Sequence, residues 1–148
     1  MRDYLFDARE DLKRADHMLY VSLKYTRTVD VIRNIIERLV SSMGFVIEGM
    51  ITKKKRAGKI KEVPASPGLR AEAVRSLYSD EKIIDLIQFY LLLRKIMRAE
   101  FTRSQEYRKR VTMTSLVDDQ YLKVDVETVL GYYNKTKEFM DYIEESLK

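Results

Sequence analysis

Apolar residues recur along this chain at helical intervals, and the interval breaks at only a few places. From Asp3 to about Tyr25, Leu5, Ala8, Leu12, Ala15, Leu19 and Leu23 return every three or four positions. That spacing predicts one face of an amphipathic helix, with Asp11, Lys13, Arg14 and Asp16 off the face. Tyr25-Thr26-Arg27-Thr28 suits a turn, with Thr28 as N-cap of the next helix and Asp30 in its first turn; one long bent helix is the alternative. Val29, Ile32, Ile36, Leu39, Met43, Val46 and Met50 then step 3, 4, 3, 4, 3, 4, and Ile35, Val40 and Ile47 widen the seam. Such a face packs against neighbouring helices, within the chain or in a dimer, and Ser41 and Gly44 suit a close crossing.

The run Ile83 to Leu93 is apolar at nine of its eleven positions, without Gly or Pro. A helix apolar nearly all round must be covered on most sides. Ser79 is its expected cap, and it should continue to about Phe101. Before it, Val63-Pro64-Ala65-Ser66-Pro67 reads as an extended linker. Ser66 there caps a short helix to about Tyr78 that buries Leu69, Ala73 and Leu77. Residues 111–125 change period: Val111, Met113 and Ser115 alternate with Thr112 and Thr114, Asp118-Asp119 turns, and Tyr121 to Val124 forms a second β-prone run. Asp125 caps a last helix carrying Val126, Val129, Tyr133, Thr136, Met140, Ile143 and Leu147. The expected fold is all-α: one domain over 1–148, a bundle of about five helices with a small two-stranded β-hairpin before the C-terminal helix. Residues 53–66 form a basic loop and linker.

Composition narrows the chemistry. The 148 residues contain no Cys and a single His, His17. Disulfides, thiolate nucleophiles and His-rich zinc sites are thereby excluded. Apolar runs are too short to span a bilayer, and the N-terminus lacks the apolar core of a signal peptide, so the expectation is a cytoplasmic protein without membrane contact. Five Asn and Gln beside abundant Lys, Arg and Glu suit a thermophile.

The net charge of +5 is concentrated. Residues 53–62 carry six basic groups and one acid, and residues 94–110 seven and two. Two basic islands on an otherwise mildly acidic body point to an anionic partner. Within the second island, Arg94, Arg98, Arg103, Arg108 and Arg110 accompany Phe101 and Tyr107. Guanidinium forks grip phosphates and rings stack on unpaired bases, so Arg94, Arg98, Arg103, Tyr107, Arg108 and Arg110 are the candidate anion site. The structural alternative is an exposed helix end whose cations match its dipole. Lys53, Lys54, Lys55 and Arg56 form a secondary candidate, a mobile phosphate-binding arm or a solvated loop with Gly58 as left-handed cap. His17, Asp118-Asp119 and Glu144-Glu145 show no spacing that assembles a metal or acid–base site, so no cofactor, metal or catalytic residue is assigned.

A helical pair, a connector, a long third helix, an Arg-rich stretch and a final helix resemble the HEPN superfamily of small bundles. Asp11-Leu12-Lys13-Arg14-Ala15-Asp16-His17-Met18-Leu19 resembles the charged, alanine-bearing start of that superfamily. Leu23-Lys24-Tyr25-Thr26-Arg27-Thr28 and Glu106-Tyr107-Arg108-Lys109 are similar to archaeal proteins of about this length. The resemblance implies a homodimer and, in many members, a metal-independent ribonuclease whose motif is Arg, four to six residues, then His, before the last helix. The corresponding spacing here is Arg103, six residues, Arg110, with no His after His17. What the resemblance then implies is a non-catalytic dimer that binds RNA, a nucleotide or an acidic partner protein. A divergent ribonuclease and a purely structural interaction module are the alternatives.

Overall fold

The computed structural model describes residues 1–147 and consists of five helices with a three-stranded antiparallel sheet inserted before the last. Helix α1 (Arg2–His17) runs on through a π-helical turn (Met18–Ser22) and a final α-turn (Leu23–Tyr25). The π-turn has a cause in the sequence. Ala15, Leu19 and Leu23 step four residues at a time, more than the 3.6 of an α-helix, and the wider turn keeps all three buried. His17 lies exposed on the flank.

Helix α2 (Val29–Arg56) is the axis of the molecule and packs on every other helix. Thr28 caps it as expected, its hydroxyl accepting from Val31 N at 3.3 Å. Ile32, Ile35, Ile36, Leu39, Met43, Val46, Ile47, Met50 and Ile51 are buried round most of its circumference. The helix reaches Arg56 and Gly58 closes it with φ 75°, so the basic loop expected from Lys53 starts later than the sequence suggested. Ser41 lies at the crossing with α1, where its hydroxyl bonds Asp11, and Gly44 faces Tyr90, but the closest approach to α1 is made by Ser42 and Gly49. Ser42 Oγ donates to the carbonyl of Ala8 at 2.8 Å, and a Cβ on Gly49 would meet Met1 Sδ at 2.7 Å and Tyr4 Cγ at 2.9 Å.

Asp11, expected on the polar side, is instead buried between α1 and α2. Ser41 Oγ donates to it, Arg14 pairs with it at 3.1 Å and Arg38 at 3.5 Å. Helix α3 (Pro67–Leu77) starts at the expected Ser66 cap but is turned about its axis. It buries Ala71 and Val74 and leaves Leu69 exposed. Helix α4 (Glu81–Arg98) carries the apolar run and buries Ile83, Leu86, Ile87, Phe89, Tyr90, Leu93 and Ile96. Its cap is Asp80 rather than Ser79: Asp80 Oδ1 accepts from Lys82 N at 2.8 Å, and Oδ2 accepts from the Tyr142 hydroxyl.

The chain leaves α4 at Ala99 in extended conformation, three residues before the expected end. Phe101–Ser104 is then an edge strand, β1, paired with β2 (Thr112–Val117), which pairs with β3 (Gln120–Val124). Asp118 and Asp119, with φ 50° and 65°, make the tight left-handed turn that a two-residue hairpin needs. Met113, Ser115, Val117 and Val124 face the bundle. The register puts Thr102, Thr114 and Lys123 side by side on the opposite face. Helix α5 (Val126–Ser146) opens at the expected Asp125 cap, which accepts from Thr128 N and Oγ1, both at 2.8 Å. Among the described residues no helix is long and apolar enough to cross a membrane.

Two outcomes follow from these contacts. Asp11→Ala removes a buried carboxylate that accepts from Ser41 and from two solvent-accessible arginines, and should lower the unfolding free energy by about 2 kcal/mol, read by urea denaturation. Burial pushes the Tyr133 phenol up to about 12, with Asp16 adding to the shift. A folded-state pKa above the ordinary 10.0 adds stability that is complete below pH 10 and lost as pH rises through about 12. Wild type should therefore lose stability more steeply than Tyr133→Phe between those limits, measured by denaturation at several alkaline pH values.

Candidate nucleic-acid interface

The loop between β1 and β2 is built on strained backbone. Gln105 and Tyr107 adopt φ 57° and 65°, a region that side-chain-bearing residues seldom enter. Arg108 N donates to the Gln105 carbonyl at 3.1 Å and Val111 N to the Arg108 carbonyl at 3.0 Å, which curls the loop. Buried Val111 plugs its return to the sheet. Two further bonds tie the loop to the start of α2, across nearly eighty residues of sequence. Tyr107 N donates to the Arg27 carbonyl at 2.6 Å, and Glu106 Oε2 accepts from Val29 N at 3.1 Å. Glu106 therefore caps α2 from a distance, beside Thr28, and satisfies an N–H that the helix itself leaves open.

This junction joins two short segments, Lys24–Thr28 and Gln105–Arg110, into one surface. Tyr107 is 77% exposed and Tyr25 is 79% exposed. Their backbones lie within roughly 12 Å, since Tyr25 is two residues from the carbonyl that Tyr107 binds. Strained backbone that holds an aromatic ring out in water does nothing for packing, and strain of this kind costs about 1 kcal/mol or more. The same two segments carry Lys24, Arg27, Arg108, Lys109 and Arg110, of which Lys109 and Arg110 line a cavity with Asp125 and Glu127 at the start of α5. None of these five lies within ion-pairing distance of a carboxylate among the described residues.

The other arginines of the island have different surroundings. Arg103 is held by Asp30 at 2.9 Å and Glu106 at 3.4 Å, and its guanidinium lies 5.3 Å from the Phe101 ring centre. Asp30, then Glu106, raises its already high pKa, so it stays charged and locally neutralised. Arg94 is half-buried beside the Tyr90 ring, at 5.7 Å. Arg98 is exposed at the end of α4, near Leu116 and Asp118. That is the turn end of β2, roughly 17 Å along the strand from Thr112 and the Tyr107 loop. The segment 94–110 is thus split between two ends of the sheet: Arg94 and Arg98 lie away from the loop, and Arg103, Tyr107, Arg108 and Arg110 are exposed at the loop end, with Arg103 engaged by carboxylates. Arg110 also borders a cavity of about 360 Å³ with Lys109, Thr112, Asp125 and Glu127.

The two basic islands do not converge. Glu106 meets α2 at its first residue, while Lys53, Lys54, Lys55 and Arg56 occupy its last turn, roughly 40 Å away at 1.5 Å per residue. Lys54 is stacked over Tyr78 at 4.4 Å.

Lys24, Tyr25, Arg27 and Lys109 were not among the candidate residues read from the sequence, nor was Arg33. Tyr25 and Arg27 sit in a connector whose residue types fit a turn, and nothing local says which loop it will meet. Arg33 organises the region from beneath: its guanidinium lies 4.1 Å from the Phe101 ring centre and donates to the Met97 carbonyl at 3.0 Å. It thereby closes the C-terminal end of α4 and props β1 under the loop. Among the described residues no group of three or more His, Asp or Glu side chains is arranged to hold a metal ion. No family model, curated protein or solved structure matches the chain.

If Glu106 joins the loop to α2, Glu106→Ala should lower stability by about 1 kcal/mol, the usual scale of a lost cap. It should also speed amide exchange at Val29 and Tyr107 while exchange in the middle of α2 stays slow. Unchanged exchange at both amides would show that the loop is held by other contacts.

Proposed function

We propose that the chain is a HEPN-like, non-catalytic module, dimeric and cytoplasmic, that binds single-stranded RNA through the surface shared by the Tyr25 turn and the Tyr107 loop. One observation carries the reading: two highly exposed tyrosines belong to segments that are hydrogen-bonded to each other and that carry five cations with no ion-pair partner among the described residues. Cations follow a phosphate backbone and the rings offer faces to unpaired bases, which is how single strands are bound without a base code. A duplex, whose bases are already stacked, would leave both rings unused.

The same geometry supports the non-catalytic half of the proposal. Arg103 stands at the position that the superfamily's motif would make catalytic, yet it serves Asp30, Glu106 and Phe101. The two nearest carboxylates are thereby engaged, and no imidazole belongs to the surface. General acid–base cleavage needs a proton acceptor within reach of the reacting hydroxyl; Asp30 and Glu106 are held by Arg103 and Asp125 by Thr128, which leaves Glu127, in the cavity beside Lys109 and Arg110, as the carboxylate that a ribonuclease would have to use.

Fluorescence anisotropy of a labelled single-stranded RNA tests the reading. Wild type should bind with an affinity that falls with salt, at a log–log slope of about −3 if four or five phosphates are contacted. Arg27→Glu/Arg108→Glu/Arg110→Glu should abolish binding. Tyr25→Ala/Tyr107→Ala should weaken it at least tenfold while leaving the salt slope nearly unchanged, since stacking contributes about 1–3 kcal/mol per base. Tyr107→Gly, which relieves the positive φ, should be at least as stable as wild type and still bind less well. No binding at low salt would overturn the proposal and favour an acidic protein partner, and RNA cleavage by wild type would overturn its non-catalytic part.

A further inference from the structure

The far end of α2 carries chemistry that the RNA-binding surface does not use. Three helix ends meet there: the first turn of α1, the last two turns of α2 and the end of α5. They enclose a cavity of about 500 Å³, a volume typical of sites that hold a small organic molecule. From α2 the lining is Gly49, Thr52, Lys53 and Arg56, an i, i+3, i+4, i+7 stripe that turns one helix face toward the space. Tyr4, Leu5 and Leu147 give it an apolar wall, and Arg2 adds a third cation. The wall is fixed in place by Gly49, on which Met1 and Tyr4 pack too closely to admit a Cβ.

The three cations have no structural employment. Arg2, Lys53 and Arg56 lie outside ion-pairing distance of any carboxylate among the described residues. Glu144, the carboxylate in the lining, is already bound by Arg9. A helix C-terminus presents about half a negative charge, and Lys54 and Lys55 in the same turn suffice to offset it. Arg2 is harder still to explain by the dipole, because it stands in the first turn of α1, where a cation meets the positive end. Three uncompensated positive charges at the mouth of an apolar-walled cavity are complementary to a dianion carried on an apolar body.

We propose that this cavity binds a phosphate monoester with an apolar body, its phosphate gripped by Arg2, Lys53 and Arg56 and its body laid against Tyr4, Leu5 and Leu147. Arginine forks suit phosphate oxygens in bidentate fashion. The site is independent of the RNA-binding surface, roughly 40 Å away along α2.

Octyl phosphate below its micellar concentration is the probe, followed by calorimetry and by methyl NMR of the full chain. It should bind saturably and shift the methyl signals of Leu5 and Leu147. Inorganic phosphate and octanol should each bind at least tenfold more weakly, one lacking the body and the other the charge. Arg2→Gln/Lys53→Gln/Arg56→Gln should weaken octyl phosphate at least tenfold with an unchanged circular dichroism melt. Thr52→Phe, which fills the cavity and alters no charge, should do the same, so the test does not hang on one variant's folding. Absence of saturable binding to wild type overturns the proposal. So does equal binding of inorganic phosphate, or full affinity retained by either folded variant.

Discussion

A helix of 28 residues extends about 40 Å, and α2 is apolar round so much of its surface that the other helices must cover it on several sides. That requirement sets the architecture. Helix α1 lies along it through Ala8, Leu12 and Ala15, close enough that a serine hydroxyl of α2 bonds an α1 carbonyl. Helices α4 and α5 complete the enclosure, and the short α3 covers what remains. Each α2 residue removed from water contributes about 1.5–3 kcal/mol for a large aliphatic side chain, so its middle is the least negotiable part of the molecule. Its ends are another matter. There the covering helices stop, the chain turns, and polar and charged groups gather.

The sheet serves one of these ends. Three short strands need an apolar face packed against a helix to be stable, and these rest on the bundle through Met113, Val117 and Val124. Arg33 is the bracket between the two parts. From α2 it reaches the Met97 carbonyl in the last turn of α4 and lies against Phe101, so one side chain positions a helix terminus and an edge strand together. The strands hold up a loop that would otherwise have no reason to keep Tyr107 in a left-handed conformation.

Local rules in the sequence carried most of the fold. Thr28, Ser66 and Asp125 are caps because their short side-chain oxygens reach N–H groups two or three residues on, an event that needs no knowledge of the rest of the chain. Ser79 lost to Asp80 because Tyr142, sixty-two residues later, donates to that carboxylate. Asp11 looked like a polar-face residue until Ser41, Arg14 and Arg38 closed round it. Phe101-Thr102-Arg103-Ser104 is too short and polar to announce a strand, and becomes one because β2 offers it a partner. The site divides in the same way. The basic and aromatic content of residues 94–110 could be read directly, but its separation across the length of β2, and the joining of Tyr107 to the Tyr25 turn, depend on where α4 ends. A one-residue slip of β1 against β2 would carry Arg103 to the other face of the sheet.

The bonds from Tyr107 to Arg27 and from Glu106 to Val29 also have a kinetic meaning. They span 80 and 77 residues, whereas the cap of α2 by Thr28 spans three. Closing so long a segment costs entropy that only an assembled bundle can offset. The loop must therefore lock after the helices have docked, and it will be among the first regions to open again, by excursions that leave the core intact. A ligand held across that junction grips only the fully closed form. Binding would raise the free energy of local opening by RT ln(1 + [L]/Kd) and leave the rest of the bundle as it was.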